Sequence, residues 1–368
     1  MKLTVLSVAY PLTPVGRDAV GGSEQILTLL DAALTRAGHR SIVVACEGSA
    51  PQGTLVATPR CDGPLTNEVR GWAQGQHRIA IEEALRTWPV DLIHMHSLDF
   101  WAYLPSGAVP LLATLHLPPD WYPADIYNLR RPNTYLNCVS QAQRRACPPC
   151  ASMLPHIDNG VDVDRLSANL RKSQFALALG RVCPEKGLHL AIDAARAAGM
   201  SLLLAGEVYR YEAHERYFRD EIQPRLDDSR RFIGPVGFRA KRRLLTKARC
   251  LLIPSLVAET SSLVAMEALS CGTPVIAFPS GALPEIIEDG KTGFLVENDR
   301  EMARAIDDVR FIDPEKCRQT ARERFSADRM AYRYMELYQA LAQRSQPHVA
   351  APAPVEQWTS NQSAASNI

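Results

Sequence analysis

The densest group of residues able to do chemistry follows a short apolar segment, Cys250–Ile253. Glu259 and Glu267 come next with seven residues between them, and Ser261 and Ser262 follow the first glutamate. We expect Glu259 in a loop and Glu267 on the helix after it. Carboxylates and hydroxyls placed in this way can bind a polar small molecule. Taken alone, the pattern fits two surface glutamates on an ordinary helix equally well.

The helix predicted here has a polarised end. Ser261 or Ser262 can cap it, Leu263 begins its apolar face, and Gly272 is placed to end it. The backbone amides of residues 260–263 would then form its positive end. Such an end favours an anionic ligand.

Alternating strands and helices must position these residues. Apolar segments recur along the chain, each followed by a turn and a helix-patterned segment, which predicts parallel sheets with helices on both faces. Functional loops then lie at the carboxyl ends of the strands. The predicted strands are residues 3–9, 41–45, 91–95, 110–114 and 136–139, then 175–179, 201–205, 231–233, 250–253, 274–277 and 293–296.

The strand pattern restarts after a polar segment near residues 165–175. With 368 residues the chain is about twice the length of a typical domain. We therefore expect two Rossmann-like, doubly wound α/β domains facing across a cleft, a common place for a small-molecule site. Residues 343–368, rich in Ala, Pro, Ser, Gln and Asn, are predicted to form a disordered tail.

Composition excludes several classes of protein. Hydrophobic residues make up 46% and charged residues 22%, and the net charge is +1. Such a balance disfavours a nucleic-acid or membrane-coating protein, and no apolar run reaches the roughly 18–20 residues of a membrane-spanning helix. The start of the chain resembles a buried strand more than a signal peptide. Nine scattered cysteines indicate a reducing, cytoplasmic setting, and the close pair Cys147 and Cys150 is interpreted as structural or incidental.

Several motifs, in order along the chain, resemble those of the retaining GT-B glycosyltransferases of family 4. The two glutamates and the segment 268–276 after them resemble the family's signature. Relatives commonly have Gly-Phe-Gly after the first glutamate, where this chain has Thr260-Ser261-Ser262. The resemblance covers residues 1 to about 340. The other matching segments are Gly21-Gly22-Ser23-Glu24, Ala37-Gly38-His39, Asn159-Gly160-Val161-Asp162, Gly180-Arg181 with Glu185-Lys186-Gly187, 281–287 and 289–296.

This resemblance implies a GT-B fold and an activity. Residues 1–168 would form the acceptor-side domain, residues 169–325 the donor domain, and residues 326–342 a helix crossing back to the first domain. The implied reaction moves a hexose from a nucleotide-diphosphate sugar, UDP-linked rather than GDP-linked, to a hydroxyl on a small molecule or glycan. Retention without an obvious protein nucleophile suggests front-face attack.

The resemblance also implies how the donor diphosphate is held. Its negative charge grows as the glycosidic bond breaks, and positive groups aimed at it stabilise the transition state. Arg181 and Lys186 are the candidates, with solvated loop charges as the alternative. Gly22 in the opposite domain would let the backbone approach the phosphates.

Further roles follow from the same resemblance. Glu259 would contact and orient the sugar, and Glu267 would accept hydrogen bonds from the ribose. His116, after a predicted strand, would lie near the transferred sugar and the acceptor, with a buried core histidine as the alternative. The implied catalytic residues are Glu259, His116 and Lys186. The implied donor-binding residues are Gly22, Arg181, Lys186, Glu259, Ser261, Ser262, Leu263 and Glu267.

We expect no metal and no other cofactor. Asp162 and Asp164 have the spacing of a metal-binding pair, but we interpret them as part of a turn after Asn159-Gly160. His94 and His96 share one face of a strand, where burial is favoured over metal ligation.

Other interpretations stay open. The fold also suits a sugar-nucleotide epimerase, a glycogen-type phosphorylase, which would be far longer, or a non-catalytic nucleotide-sugar-binding protein. One set of aromatic residues is either an acceptor wall or core: Trp101, Tyr103, Trp121, Tyr122 and Tyr127. One set of arginines is either a weak membrane-surface contact or solvated surface: Arg130, Arg131, Arg144 and Arg145.

Overall fold

The computed structural model describes residues 1–344, apart from Val20, Asp62, Pro64, Leu65 and Asn169. The predicted disordered tail lies outside the described residues from position 345 onward.

The first half of the chain builds one six-stranded parallel sheet. Its strand order is β3-β2-β1-β4-β5-β6. The order reverses between β1 and β4, which is where a doubly wound sheet opens a crevice for ligands. The strands are β1 Thr4–Val8, β2 Arg40–Cys46, β3 Thr54–Thr58, β4 Leu92–Met95, β5 Leu111–Leu115 and β6 Thr134–Cys138.

The second half repeats this arrangement. Its six-stranded parallel sheet has the order β12-β11-β10-β7-β8-β9, which is the same Rossmann order counted from β7. The two predicted Rossmann-like domains are therefore confirmed. The strands are β7 Phe175–Leu179, β8 Ser201–Ala205, β9 Arg230–Phe232, β10 Cys250–Ile253, β11 Val275–Ala277 and β12 Gly293–Leu295.

Helices cover the faces of both sheets. In α1, for example, apolar residues at helical spacing are buried against the first sheet. The helices are α1 Gly22–Arg36, α2 Asn67–Thr87, α3 Gln141–Ala146, α4 Val163–Leu166, α5 Leu188–Ala197, α6 Glu212–Tyr217, α7 Phe238–Lys247, α8 Leu263–Ser270, α9 Leu283–Ile286, α10 Asp299–Asp308, α11 Pro314–Arg324 and α12 Ala327–Arg344.

All eleven predicted strands agree with the structure to within two residues at each end, and β7, β8 and β10 have the predicted bounds. The edge strand β3 was not predicted. Two of its five residues are exposed and two are partly buried, and the segment has neither a long apolar run nor a clean alternation.

The last helix, α12, packs against the first domain. Tyr334 and Tyr338 are fully buried in the same cluster as Val5 of β1 and Leu3, which directly precedes this strand. The Tyr338 hydroxyl lies 2.7 Å from Nδ1 of His94 in β4. The helix continues to Arg344, so residues 343 and 344 are helical and the prediction that the tail begins at 343 was wrong there.

The two domains touch below the cleft. Thr260 of the second domain donates its hydroxyl hydrogen bond to the His116 carbonyl of the first, at 3.0 Å. The Gln141 amide donates to Oε2 of Glu285 at 3.1 Å. The carboxyl ends of both sheets consequently face one another. Among the described helices, none combines the length and the apolar character needed to cross a bilayer.

Candidate functional site

A cleft of about 950 Å³ opens between the domains. Its volume is at the upper end of the range for small-molecule sites. Every residue of the predicted donor site lines it: Gly22, Arg181, Lys186, Glu259, Ser261, Ser262, Leu263 and Glu267. Widely separated segments of the chain thus meet in one cavity.

Lys186 and Glu259 form an ion pair at the floor of the cleft. The Lys186 Nζ lies 2.5 Å from Oε1 of Glu259, and the two side chains are 25% and 10% exposed. The Ser255 hydroxyl donates a second hydrogen bond to the same carboxylate oxygen at 2.7 Å. The Lys186 ammonium is therefore held at a defined point before any ligand binds.

Gly187 makes this pairing sterically achievable. Its φ is +59°, in the left-handed region that favours glycine, and a Cβ atom there would lie 2.2 Å from the carbonyl oxygen of Pro254. The loop after β7 can therefore press directly against the loop after β10, which brings Lys186 to Glu259.

Glu267 is paired with a residue that the sequence analysis missed. It lies on α8 with 6% of its surface exposed and forms an ion pair with Lys241 of α7. Burial raises the pKa of the Glu267 carboxyl above its ordinary value, and the charge and hydrogen bond of Lys241 act in the opposite direction. Lys241 also lines the cleft, so it belongs to the candidate site.

The amino end of α8 faces the cleft. Ser262 occupies the N-cap position, but its side chain makes no capping hydrogen bond, so the predicted side-chain cap was wrong. The Ser261 hydroxyl is buried, and it has no hydrogen-bond partner in the part of the chain that the structure describes. The first amides of α8 and this hydroxyl remain available to a ligand. Gly272 follows the helix with φ +68°, as predicted.

Gly22 and Arg181 lie on the two walls of the cleft. Gly22 begins α1, and a Cβ atom added there would lie 3.6 Å from Cδ1 of Leu263 across the cleft. A side chain larger than glycine at position 22 would fill the gap between α1 and Leu263, where the two domains approach each other. Arg181 is exposed in the loop after β7 and lines the cleft from the other side.

His116 directly follows β5 and lies beside the loop that carries Glu259. Its carbonyl accepts the hydrogen bond from Thr260, and its Nε2 lies 3.3 Å from Nδ1 of His96. Burial lowers the pKa of His116 to about 4, so its imidazole is neutral at pH 7. His116 is not among the residues lining the cleft, although its carbonyl contacts Thr260, which lies between the lining residues Glu259 and Ser261.

His94 and His96 are core residues. His94 is fully buried, with Nδ1 2.7 Å from the Tyr338 hydroxyl and Nε2 2.7 Å from the Thr114 hydroxyl. Burial lowers the pKa of both imidazoles well below its ordinary value. With both ring nitrogens occupied, His94 is not available to a metal, in agreement with the expected burial.

The structure also assigns roles to other residues that the sequence left open. Asp162 accepts the hydrogen bond of the Arg165 amide at 3.0 Å and so caps α4. Arg131 donates to the carbonyl oxygens of Pro105 and Val109, which ties two loops together. Three of the five aromatic residues belong to the buried core of the first domain: Tyr103, Tyr122 and Tyr127.

Comparisons with known proteins agree with this geometry. Residues 20–165 match the family described as Glycosyltransferase Family 4, and residues 173–310 match the family described as Glycosyl transferases group 1. Glycogen synthase of Mycobacterium tuberculosis is 24% identical over an alignment covering 89% of this chain and 91% of that protein.

Solved structures share the fold over nearly the whole chain. A glycosyltransferase involved in avilamycin A biosynthesis has a TM-score of 0.70 and 25% identity, over 93% of this chain and 98% of that one. An Anabaena protein solved in complex with UDP and glucose has a TM-score of 0.70 and 18% identity, over 92% of this chain and 100% of that one. Together with the two repeated Rossmann sheets and the shared cleft, these matches identify the chain as a GT-B glycosyltransferase of the family 4 type.

Proposed function

We infer that this enzyme transfers a hexose from a UDP-linked sugar to a hydroxyl acceptor, with retention of the anomeric configuration and without a metal ion. The observation that carries this proposal is the convergence of Lys186, Glu259, Glu267 and the amino end of α8 on one cleft. A nucleotide-diphosphate sugar needs such a set: cations and amides for the diphosphate, and carboxylates for the sugar and ribose hydroxyls.

The diphosphate would lie between Lys186, Arg181 and the amino end of α8. Lys186 is already fixed by Glu259, so little reorganisation is needed when charge develops on the leaving group. The preference for UDP is supported by the fold shared with the Anabaena protein, whose structure contains UDP and glucose.

Glu267 would accept hydrogen bonds from the ribose hydroxyls. Lys241 helps to keep its carboxylate ionised despite burial, because the ammonium offsets part of the desolvation cost. An ionised acceptor binds hydroxyl donors more strongly than a neutral one. Lys241 is therefore proposed as the residue that sets the charge state of the ribose acceptor.

Glu259 and His116 would act at the sugar. Glu259 binds Lys186 through Oε1, which leaves its other carboxylate oxygen to orient a sugar hydroxyl. His116 is neutral at pH 7 and can exchange hydrogen bonds with sugar hydroxyls. The acceptor hydroxyl would attack the anomeric carbon from the side of the departing phosphate, and this phosphate would take up the hydroxyl proton. Attack from that side retains the anomeric configuration.

A ligand screen by thermal unfolding tests the donor assignment. UDP and UDP-sugars are expected to raise the melting temperature more than GDP, ADP or their sugar conjugates at equal concentration, because a ligand that binds the native state stabilises it. Glu267→Gln should weaken the shift. Glu315→Gln, which alters a surface ion-pair group on α11, is the matched control and should leave it unchanged. Stabilisation by GDP-sugars alone, or equal shifts in wild type and Glu267→Gln, would overturn the assignment.

A further inference from the structure

A second group of ligating side chains lies behind the loop that follows β7. Cys183 and Glu185 belong to this loop, and His214 comes from α6. One sulfur, one carboxylate oxygen and one imidazole nitrogen of these residues all lie within 4.8 Å of one another. Thiolate, imidazole and carboxylate are the ligand types that bind zinc in proteins.

Two of the three residues carry a buried side-chain atom for which the described residues offer no hydrogen-bond partner. Oε2 of Glu185 and Nδ1 of His214 are buried, and within the described part of the chain neither has a hydrogen-bond partner. An unpaired buried polar atom costs free energy, and coordination to a metal ion is one of the ordinary ways to satisfy it. The Cys183 thiol is buried, lies 3.7 Å from the Arg181 carbonyl oxygen and shares a hydrogen bond with the Glu185 carboxylate.

The surrounding packing orients the imidazole. The His214 ring contacts the rings of Tyr211 and Tyr209 with centroids 5.2 and 6.3 Å apart, both edge to face. These contacts restrict the ring while Nδ1 stays buried and unpaired. The histidine is thus held in place by aromatic packing rather than by hydrogen bonds of that nitrogen.

We propose that Cys183, Glu185 and His214 form a zinc site that fastens the loop after β7 to α6. Zinc–ligand bonds are roughly 2.0–2.3 Å long, so tetrahedral ligand atoms lie roughly 3.3–3.8 Å apart, and side-chain rotation of about 1 Å closes the present group around an ion. Binding replaces the thiol proton, which leaves to solvent, and water takes the fourth position.

Charge and ligand chemistry select the ion. The thiolate and the carboxylate together neutralise a divalent cation, which matters because Arg181 acts electrostatically on all three ligands. Magnesium prefers oxygen ligands and retains its waters, so a site with sulfur and nitrogen favours zinc.

The location gives the site a structural consequence. The loop that Cys183 and Glu185 share also carries Arg181 and Lys186 on its cleft side. The three ligands are absent from the described lining of the cleft, so the ion would not touch the donor. A bound zinc ion would instead hold the loop from behind. This inference goes beyond the proposed function and does not depend on the donor being a UDP-sugar.

Cobalt substitution tests the site directly. The full-length protein, stripped with a chelator, is titrated with Co²⁺ and followed by absorbance, because thiolate ligation produces a charge-transfer band in the near ultraviolet. The expected result is saturation at a single ion per chain, reversal by Zn²⁺ and no competition from millimolar Mg²⁺. Absence of the thiolate band in the wild-type protein would overturn the proposal.

Variants localise the ion. Cys183→Ser should abolish the band, and His214→Gln should weaken zinc binding more than the roughly 10–100-fold that loss of a supporting residue costs. Cys46→Ser, which alters another buried cysteine in the first domain, is the matched control and should bind like wild type. If Cys183→Ser fails to fold, the test depends on His214→Gln alone, because His214 is partly exposed and its substitution disturbs the core less. Equal zinc affinity in wild type and His214→Gln would refute the site, whatever the donor screen finds.

Discussion

Replacing Lys241 by methionine keeps most of the length of the side chain and removes the ammonium that pairs with Glu267. Glu267 is 6% exposed, so the remaining carboxylate would stay in a poorly solvated place. In Lys241→Met, Glu267 either keeps a buried, unpaired negative charge or takes up a proton. Both responses cost free energy relative to the intact pair.

The magnitude follows from the burial of the pair. Removing one partner of a buried ion pair costs roughly 3–5 kcal/mol, and the 17% exposure of Lys241 places the expected loss near the lower end. For a domain of this size, each kcal/mol lowers the melting temperature by about 2–4 °C. Lys241→Met should therefore lower it by about 6–12 °C. It should also weaken UDP binding about 5- to 150-fold, which corresponds to losing ~1–3 kcal/mol from a charge-assisted hydrogen bond.

A double-mutant cycle separates the two effects. Stability is measured by urea denaturation and UDP affinity by calorimetry for wild type, Lys241→Met, Glu267→Gln and the double variant. The double variant should recover most of the stability lost in Lys241→Met, since no charge is left unpaired. It should not recover UDP affinity, because the ionised acceptor is still missing.

Two results would contradict this reasoning. A coupling free energy near zero would mean that the pair does not stabilise the fold. Wild-type UDP affinity in Glu267→Gln would mean that the carboxylate does not bind the nucleotide, even if the pair stabilises the protein. Lys247→Met, at the end of the same helix, is the matched control and should change neither quantity.

Three further predictions concern other groups. Lys186→Ala should reduce kcat/KM by roughly two to three powers of ten, which corresponds to ~2.7–4 kcal/mol. Lys186→Arg should restore little of this activity, because a planar guanidinium does not reach the same phosphate oxygen as an ammonium. Full activity in Lys186→Arg would count against a contact that requires the ammonium. Glu259→Gln should lower kcat strongly with nearly unchanged UDP affinity, and undiminished turnover would exclude its role at the sugar. Burial lowers the pKa of His77 and His116 from 6.5 to about 4, so between these values the unfolded chain binds more protons than the folded one. Urea titrations should accordingly find constant stability above about pH 6.5 and a loss toward pH 4 of up to ~1.4 kcal/mol per pH unit for each histidine, and a flat profile would refute this.

The sequence predicted the strands that are buried on both faces. Segments such as Phe175–Leu179 and Ser201–Ala205 are short apolar runs between turns, because central parallel strands are covered by helices on each side. The edge strand Thr54–Thr58 has two exposed and two partly buried residues among its five, and it carries no such signal. Helix α2 was also missed, because its polar, charged sequence presents only a narrow apolar face.

The candidate site shows a similar division. Motif order was enough to select Glu259, Glu267 and Lys186, and all three line one cleft. Lys241 could not be selected, because it is one of several cations in the helix Phe238–Lys247, and only tertiary packing decides which of them turns toward Glu267. His214 could not be selected from the sequence either, because it lies on α6, whereas Cys183 and Glu185 lie in the loop after β7.

The proposal that protein groups alone stabilise the departing diphosphate in this cleft can be tested in solution. Its most direct test is the release of sugar from α-linked UDP-glucose in the presence of EDTA, followed at early times by proton NMR of the anomeric signals. We expect that UDP and the α-anomer appear first, that magnesium or manganese added to the EDTA-treated protein does not speed their release, and that Lys186→Ala suppresses both. Initial release of the β-anomer, or complete inactivation by EDTA that magnesium or manganese reverses, would contradict it.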